Sequence, residues 1–187
     1  MSANPLAEIV AAMEEAGVLH MIAGSVASSY HGEPRSTQDI DLVILATQES
    51  VDRFVALLDS QRFYVTRGVA ATVVRDMGMF NIIDQRSGWK LDCIACTDRP
   101  FSREEFGRRI RVSVFGVEVA MATGEDVVLA KLEWSLQSGS ERQFQDVVSI
   151  LRVGGGSLDA MYLAKWAREL GVTELLTDAW QSSLDAD

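Results

Sequence analysis

Arg35-Ser36-Thr37-Gln38-Asp39-Ile40-Asp41-Leu42-Val43-Ile44-Leu45-Ala46 is the stretch from which the rest of the chain is best read. Its first residues close a segment, His31 to Gln38, that holds Gly, Pro, Ser and Thr and reads as a loop. Asp39 to Ala46 is rich in β-branched and aliphatic residues and too short for an ordinary helix, so a buried strand is expected there. Strand side chains alternate, which puts Asp39 and Asp41 on one face and Ile40, Leu42 and Ile44 on the other. Two adjacent carboxylates repel, and burying them unpaired is costly. A divalent cation removes that penalty, because hard oxygen ligands at this spacing suit Mg²⁺.

Outward from that strand, a third carboxylate, Asp92, lies in a second strand pattern, Lys90 to Ala95, flanked by apolar residues. If the two strands are neighbours, Asp39, Asp41 and Asp92 converge on one site of the kind that holds metal for phosphoryl chemistry. Upstream, Val18 to Ala23 reads as a short strand that ends at Gly24-Ser25 and turns into a helix through about Tyr30. Glycine lets backbone approach a phosphate closely, and a following helix offers unpaired N–H groups. Helix is expected over Pro5–Gly17 and around 51–58, and strands over 63–66, 80–84, 111–115 and 117–121. After Thr123 only helical stripes follow: Val128, Leu132 and Leu136, then Phe144, Val147, Val148 and Leu151, then 158–170 and 173–184. An α/β domain over 1–122 and a helical domain over 123–187 are therefore expected.

Composition narrows the function classes. The 187 residues are 48% hydrophobic and 24% charged, which excludes an intrinsically disordered chain. A formal net charge of −10 argues against coating nucleic acid by charge alone, while leaving room for a patch that takes one phosphate. No apolar run approaches the ~20 residues needed to span a bilayer. The N-terminal stretch places Glu8, Glu14 and Glu15 inside its apolar pattern and does not read as a signal peptide, so a cytoplasmic protein is expected. Cys93 and Cys96 form a C-x-x-C, but His20 and His31 have no spacing to complete a zinc site, and both cysteines are expected as reduced core residues.

Gly24-Ser25, then R-S-T-Q-D-I-D-L over 35–42, then a lone strand Asp at 92 resembles the nucleotidyltransferase superfamily, and the spelling is closest to its AbiEii-like branch. The resemblance covers roughly residues 18–152. It implies a mixed twisted sheet flanked by helices, with a C-terminal helical domain. It also implies transfer of a nucleotidyl group from an NTP to a hydroxyl acceptor with Mg²⁺ or Mn²⁺. Asp39, Asp41 and Asp92 would hold the metal, with Asp92 also accepting the proton of the attacking hydroxyl. Gly24, Ser25, Arg35, Lys131 and Asp146 would contact the nucleotide. For this bacterial branch the resemblance implies an RNA or protein acceptor and a cognate antitoxin as partner. The branch's C-terminal pattern, a Lys followed by R-x-x-K-D-x-x-D, is matched by Lys131, Arg142 and Asp146, but Gln145 and Ser149 depart from it. Those departures keep a second class open, a catalytically silent fold member that binds a nucleotide or a partner.

Several of these residues also have plain explanations. Ser25 suits a helix N-cap. Lys131 sits near the edge of its helical stripe, where a lysine snorkels to water. Arg142 and Asp146 are four apart, the spacing of a solvated ion pair. Arg99, Arg103, Arg108, Arg109 and Arg111 are the one basic cluster, interleaved with Glu104 and Glu105 as on a charged helix face. His31 reads as a loop or core histidine, and Gly154–Gly156 lacks the Lys-Ser/Thr of a P-loop.

Overall fold

The computed structural model of the chain describes residues 4–37 and 39–185; Gln38 of the quoted stretch lies outside them. In chain order the elements are α1 (Pro5–Ala16), β1 (Leu19–Ala23), α2 (Gly24–His31), β2 (Asp39–Leu45), α3 (Gln48–Leu57), β3 (Phe63–Val65), α4 (Arg67–Ala70), α5 (Val73–Asp76), β4 (Met79–Asp84), β5 (Lys90–Ala95), α6 (Pro100–Arg108), β6 (Ile110–Val114), β7 (Val117–Met121), α7 (Gly124–Ser138), α8 (Glu141–Gly154), α9 (Ala160–Glu169) and α10 (Thr173–Leu184). They divide into two compact units: residues up to Ala23 with Thr37–Met121, and Gly24–Ser36 with the residues from Ala122 onward. Every strand belongs to the first unit. The second unit differs from a single cut near Thr123, because α2 and the loop after it fold with the C-terminal helices. Local periodicity marks helices but does not say which helices share a core.

The first unit is built on a seven-stranded mixed sheet in the order β3-β4-β5-β2-β1-β7-β6. β2 runs parallel to β5 and antiparallel to β1. Its alternation is the one the sequence dictates: Ile40, Leu42 and Ile44 are at most 2% exposed, while Asp39 is exposed and Asp41 half-buried. α1 starts at Asn4, whose side chain accepts from the Leu6 N–H, and stops at Gly17 in the left-handed region. Arg62 is buried and joins the sheet to α1. It donates from Nε to Asp84 Oδ1 at 2.9 Å and from Nη1 to Glu8 Oε1. Ser87 Oγ and the Arg86 N–H complete the shell of Asp84, whose pKa the Arg62 guanidinium holds down at about 2 against the opposing effect of burial.

The second unit packs α2, α7, α8, α9 and α10 around Val128, Leu129, Leu132, Val147, Val148, Ile150, Leu151 and Leu163, all buried. Thr123 caps α7 through the Asp126 N–H and Asp159 caps α9 through the N–H groups of Met161 and Tyr162. The loop after α2 lies hard against α8. A Cβ on Gly32 would sit 2.6 Å from Ser149 Oγ and 3.0 Å from the Ile150 nitrogen. That approach requires glycine. No helix among the described residues is long and apolar enough to cross a membrane.

Candidate functional site

The parallel register of β2 and β5 sets Asp39 opposite Lys90 and Asp41 opposite Asp92. Paired residues of a parallel ladder share a face, so one surface of the first unit carries three carboxylates and an ammonium. β4 adds Asn81 opposite Asp92, and β1 adds Ala23 opposite Asp41. Asp92 is the most enclosed of the group. Its Oδ1 accepts from Asn81 Nδ2 at 2.6 Å and its Oδ2 from Lys90 Nζ at 2.8 Å. Lys90 Nζ is also 3.9 Å from Asp39 Oδ1. The Asp92 carboxylate, above all, raises the Lys90 pKa, against the opposing effect of burial. β5 is an interior strand, so Asp92 is not the edge-strand charge that an isolated strand Asp often is.

These residues supply hard oxygen donors, the chemistry that suits Mg²⁺ or Mn²⁺. Asp39 and Asp41 project from one strand face, and Lys90 already stands as a positive charge among the carboxylates. Among the described residues no three His, Cys, Asp or Glu side chains gather closely enough to share an ion. Asp39 and Asp41 are the two carboxylates there that could hold a cation, while Asp92 is bonded to Lys90 and Asn81. Lys90 and Asn81 were not singled out from the sequence. The signal for Lys90 is its i,i+2 spacing from Asp92 on the same strand face. Asn81 becomes visible only through strand pairing.

Within the second unit a buried ionic cluster unites four of the residues read from the sequence. Asp146 accepts from Arg35 Nε and Nη2 and from Lys131 Nζ, each at 2.8 Å, and from Ser28 Oγ at 3.3 Å. Arg35 Nη2 also donates to Ser25 Oγ at 2.8 Å, and Lys131 Nζ to Gln143 Oε1 at 2.7 Å. Burial, the largest effect, would raise the Asp146 pKa; the hydrogen bonds from Arg35 and Lys131 outweigh it and hold the carboxyl below its ordinary value. Two plain explanations are thereby corrected. Lys131 does not snorkel, since its side chain is 5% exposed. Asp146 pairs with Arg35 and Lys131 rather than with Arg142, which lies exposed on the same helix. Helical spacing sees only partners on the same helix, and Arg35 is 111 residues away in the chain. Gly24 opens α2 with φ at 56°, a left-handed conformation that favours glycine. Ser149 accepts the Glu33 N–H at 2.6 Å, and Gln145 donates to Glu141 on the exposed side of α8. His31 closes α2, with its Nε2 2.8 Å from the Ala122 carbonyl oxygen. Cys93 is buried on β5 and Cys96 partly exposed, both as free thiols.

No family model matches the chain, and no curated protein matches it in sequence. Solved structures do match. The solution structure of the antibiotic-resistance factor ANT(2'')-Ia aligns with a TM-score of 0.60 at 15% identity, over 92% of each chain. An antigenic nucleotidyltransferase-like protein from Paracoccidioides brasiliensis aligns with a TM-score of 0.57 at 19% identity, over 94% of this chain and 90% of that one. ANT(2'')-Ia in complex with adenylyl-2''-tobramycin aligns with a TM-score of 0.50 at 16% identity, over 89% of this chain and 94% of that one. A seven-stranded mixed sheet with its acidic pair on β2, and similarity along nine-tenths of the chain, give this protein the nucleotidyltransferase fold.

Proposed function

We propose that this chain is a divalent-cation-dependent nucleotidyltransferase. It moves a nucleotidyl group from an NTP to a hydroxyl of an RNA or protein acceptor, as the toxin of a toxin–antitoxin or phage-defence pair. The observation that carries the reading is the register of Asp41 against Asp92, with Asp39 two residues away on the same face of β2. The adenylyl-antibiotic complex of one similar structure supports the reaction class. In the reaction the acceptor oxygen displaces pyrophosphate from the α-phosphorus, and Asp92 takes the hydroxyl proton. Asp39 and Asp41 hold Mg²⁺ or Mn²⁺, which when bound neutralises phosphate charge and polarises the phosphoryl oxygens. Lys90 and Asn81 hold Asp92 in place until substrate arrives. The backbone of Gly24-Ser25 is assigned to the leaving phosphates. Arg35 also fits a phosphate role: its Nη1 is buried and, among the described residues, without a hydrogen-bond partner. The Asp146 carboxylate sets the plane of that guanidinium, and Lys131 is assigned with it to the nucleotide. Positioning and electrostatics supply the catalytic power in such chemistry.

Asp92→Asn tests the assignment. The variant keeps its size and the Asn81 contact but loses its charge. It is expected to melt as a folded protein, to retain nucleotide binding, and to lose roughly 10²–10⁴-fold in transfer of labelled nucleotide. The Lys90–Asp92 pair favours one competing reading, a silent fold member whose acidic row is neutralised by lysine rather than by metal. On that reading, Asp92→Asn changes no activity and the parent transfers no label with or without chelator.

A further inference from the structure

The first unit carries a concavity at the opposite end of the sheet from the acidic row. It is a cavity of about 480 Å³ bordered by the N-terminal end of β1, the C-terminal ends of β2 and β5, and α6. Ile44, Ala95 and Phe106, all nearly fully buried, give it an apolar floor. Around it stand Leu19, Leu45 and Met77, each about half exposed. Leu45 lies six positions beyond Asp39, roughly 20 Å along β2, so this is not the acidic site seen from another side. Its volume is that of a small-molecule pocket, and three large apolar side chains exposed around one hollow are a pattern that marks binding.

A smaller cleft of about 230 Å³ shares Leu19 and Arg109 with the cavity and adds His20, Arg111 and Glu14. Neither arginine there is taken by a carboxylate among the described residues. Arg109 stacks over the Phe106 ring and donates one N–H to the Phe106 carbonyl, and among the described residues neither Arg109 nor Arg111 forms an ion pair. Arg103, by contrast, is taken by Asp98 at 2.8 Å. His20 adds no charge at neutral pH, since burial first, and the two arginines as well, lower its pKa.

We propose that this face binds an amphipathic organic anion, with its apolar body in the cavity and its acidic head against Arg109 and Arg111. The floor favours a hydrocarbon or aromatic body over a nucleotide, because Ile44, Ala95 and Phe106 offer a base and ribose no side-chain hydrogen-bond partner, and of the polar lining Thr97 is bonded to Ser102 and Asp98 to Arg103. Charge decides the head: two guanidinium groups without a carboxylate partner among the described residues, beside an apolar hollow, select an anion against the acidic balance of the rest of the chain.

The test is calorimetric titration of the full-length protein with octanoate, and with octanol as the uncharged control. One octanoate per chain is expected, with octanol about tenfold weaker or more. Arg111→Gln, at an exposed position, is expected to weaken octanoate about tenfold while leaving octanol binding, the melting temperature and nucleotidyl transfer unchanged. Leu45→Asp, also at an exposed rim position, is expected to abolish binding of both. Equal affinity for octanoate and octanol, octanoate binding indifferent to Arg111→Gln, or displacement of octanoate by ATP at one-to-one stoichiometry would each overturn the proposal. An inactive transferase that still binds octanoate would leave it standing, so the two readings fail separately.

Discussion

Replacing Asp146 by Asn removes one charge from the most densely bonded group in the second unit. The parent carboxylate takes three hydrogen bonds at 2.8 Å from two cations. Its side chain is 9% exposed and that of Lys131 5%, so water cannot screen what remains. The asparagine amide offers one oxygen where the carboxylate offered two, and its NH₂ faces donors. Lys131 keeps Gln143 but loses the carboxylate that stood 2.8 Å from its ammonium. Breaking a buried pair from one side costs about 3–5 kcal/mol, which for a chain of this length is a fall in melting temperature of roughly 6–20 °C. Lys131→Met is expected to cost less, about 1–3 kcal/mol, because Asp146 keeps its bidentate bond to Arg35. The Asp146→Asn/Lys131→Met double variant is expected to cost less than the sum of its parts.

pH supplies an independent reading of the same cluster. The Asp146 pKa is lowered from 3.8 in the folded protein. Its contribution is therefore complete above the unfolded value and lost as pH falls through the folded one. The parent should lose stability below about pH 4 more steeply than Asp146→Asn. Urea and thermal melts of the three variants between neutral and acid pH measure all of this. A loss below about 1 kcal/mol for Asp146→Asn, or strict additivity in the double variant, would refute the picture of a dry, coupled cluster.

Three further outcomes are expected. Arg62→Met strands the fully buried Asp84 carboxylate and should cost about 3–5 kcal/mol; because Asp84 titrates at about 2, the parent keeps this stabilisation above the ordinary carboxylate value and loses it as pH falls toward 2, and urea melts across that range follow it. Residues 123–187 expressed alone should give a poorly folded chain, since they lack α2 and the Arg35 partner of Asp146; a cooperative melt by circular dichroism contradicts this. Calorimetric titration of Mg²⁺ or Mn²⁺ with nucleotide should give binding heat in the parent and none in Asp39→Ala/Asp41→Ala, and equal binding in both ends the metal assignment.

Local structure was readable from the residues alone. Alternation in 39–46 placed Ile40, Leu42 and Ile44 inward and the two aspartates together on the other face, because a strand's period of two leaves no other arrangement. Turn residues and helical stripes located the principal elements, but not the single-turn helices α4 and α5. Four residues are too few to show a period. Contacts between distant segments came from folding. It set Asp92 opposite Asp41, brought Asn81 and Lys90 onto Asp92, and joined Arg35 and Lys131 through Asp146 rather than leaving an i,i+4 pair with Arg142. It also assigned α2 to the C-terminal helices. Strand order and helix partnership depend on which apolar faces find each other in three dimensions. A pattern read along one segment carries the shape of its own face, and the identity of the face it meets belongs to the folded chain.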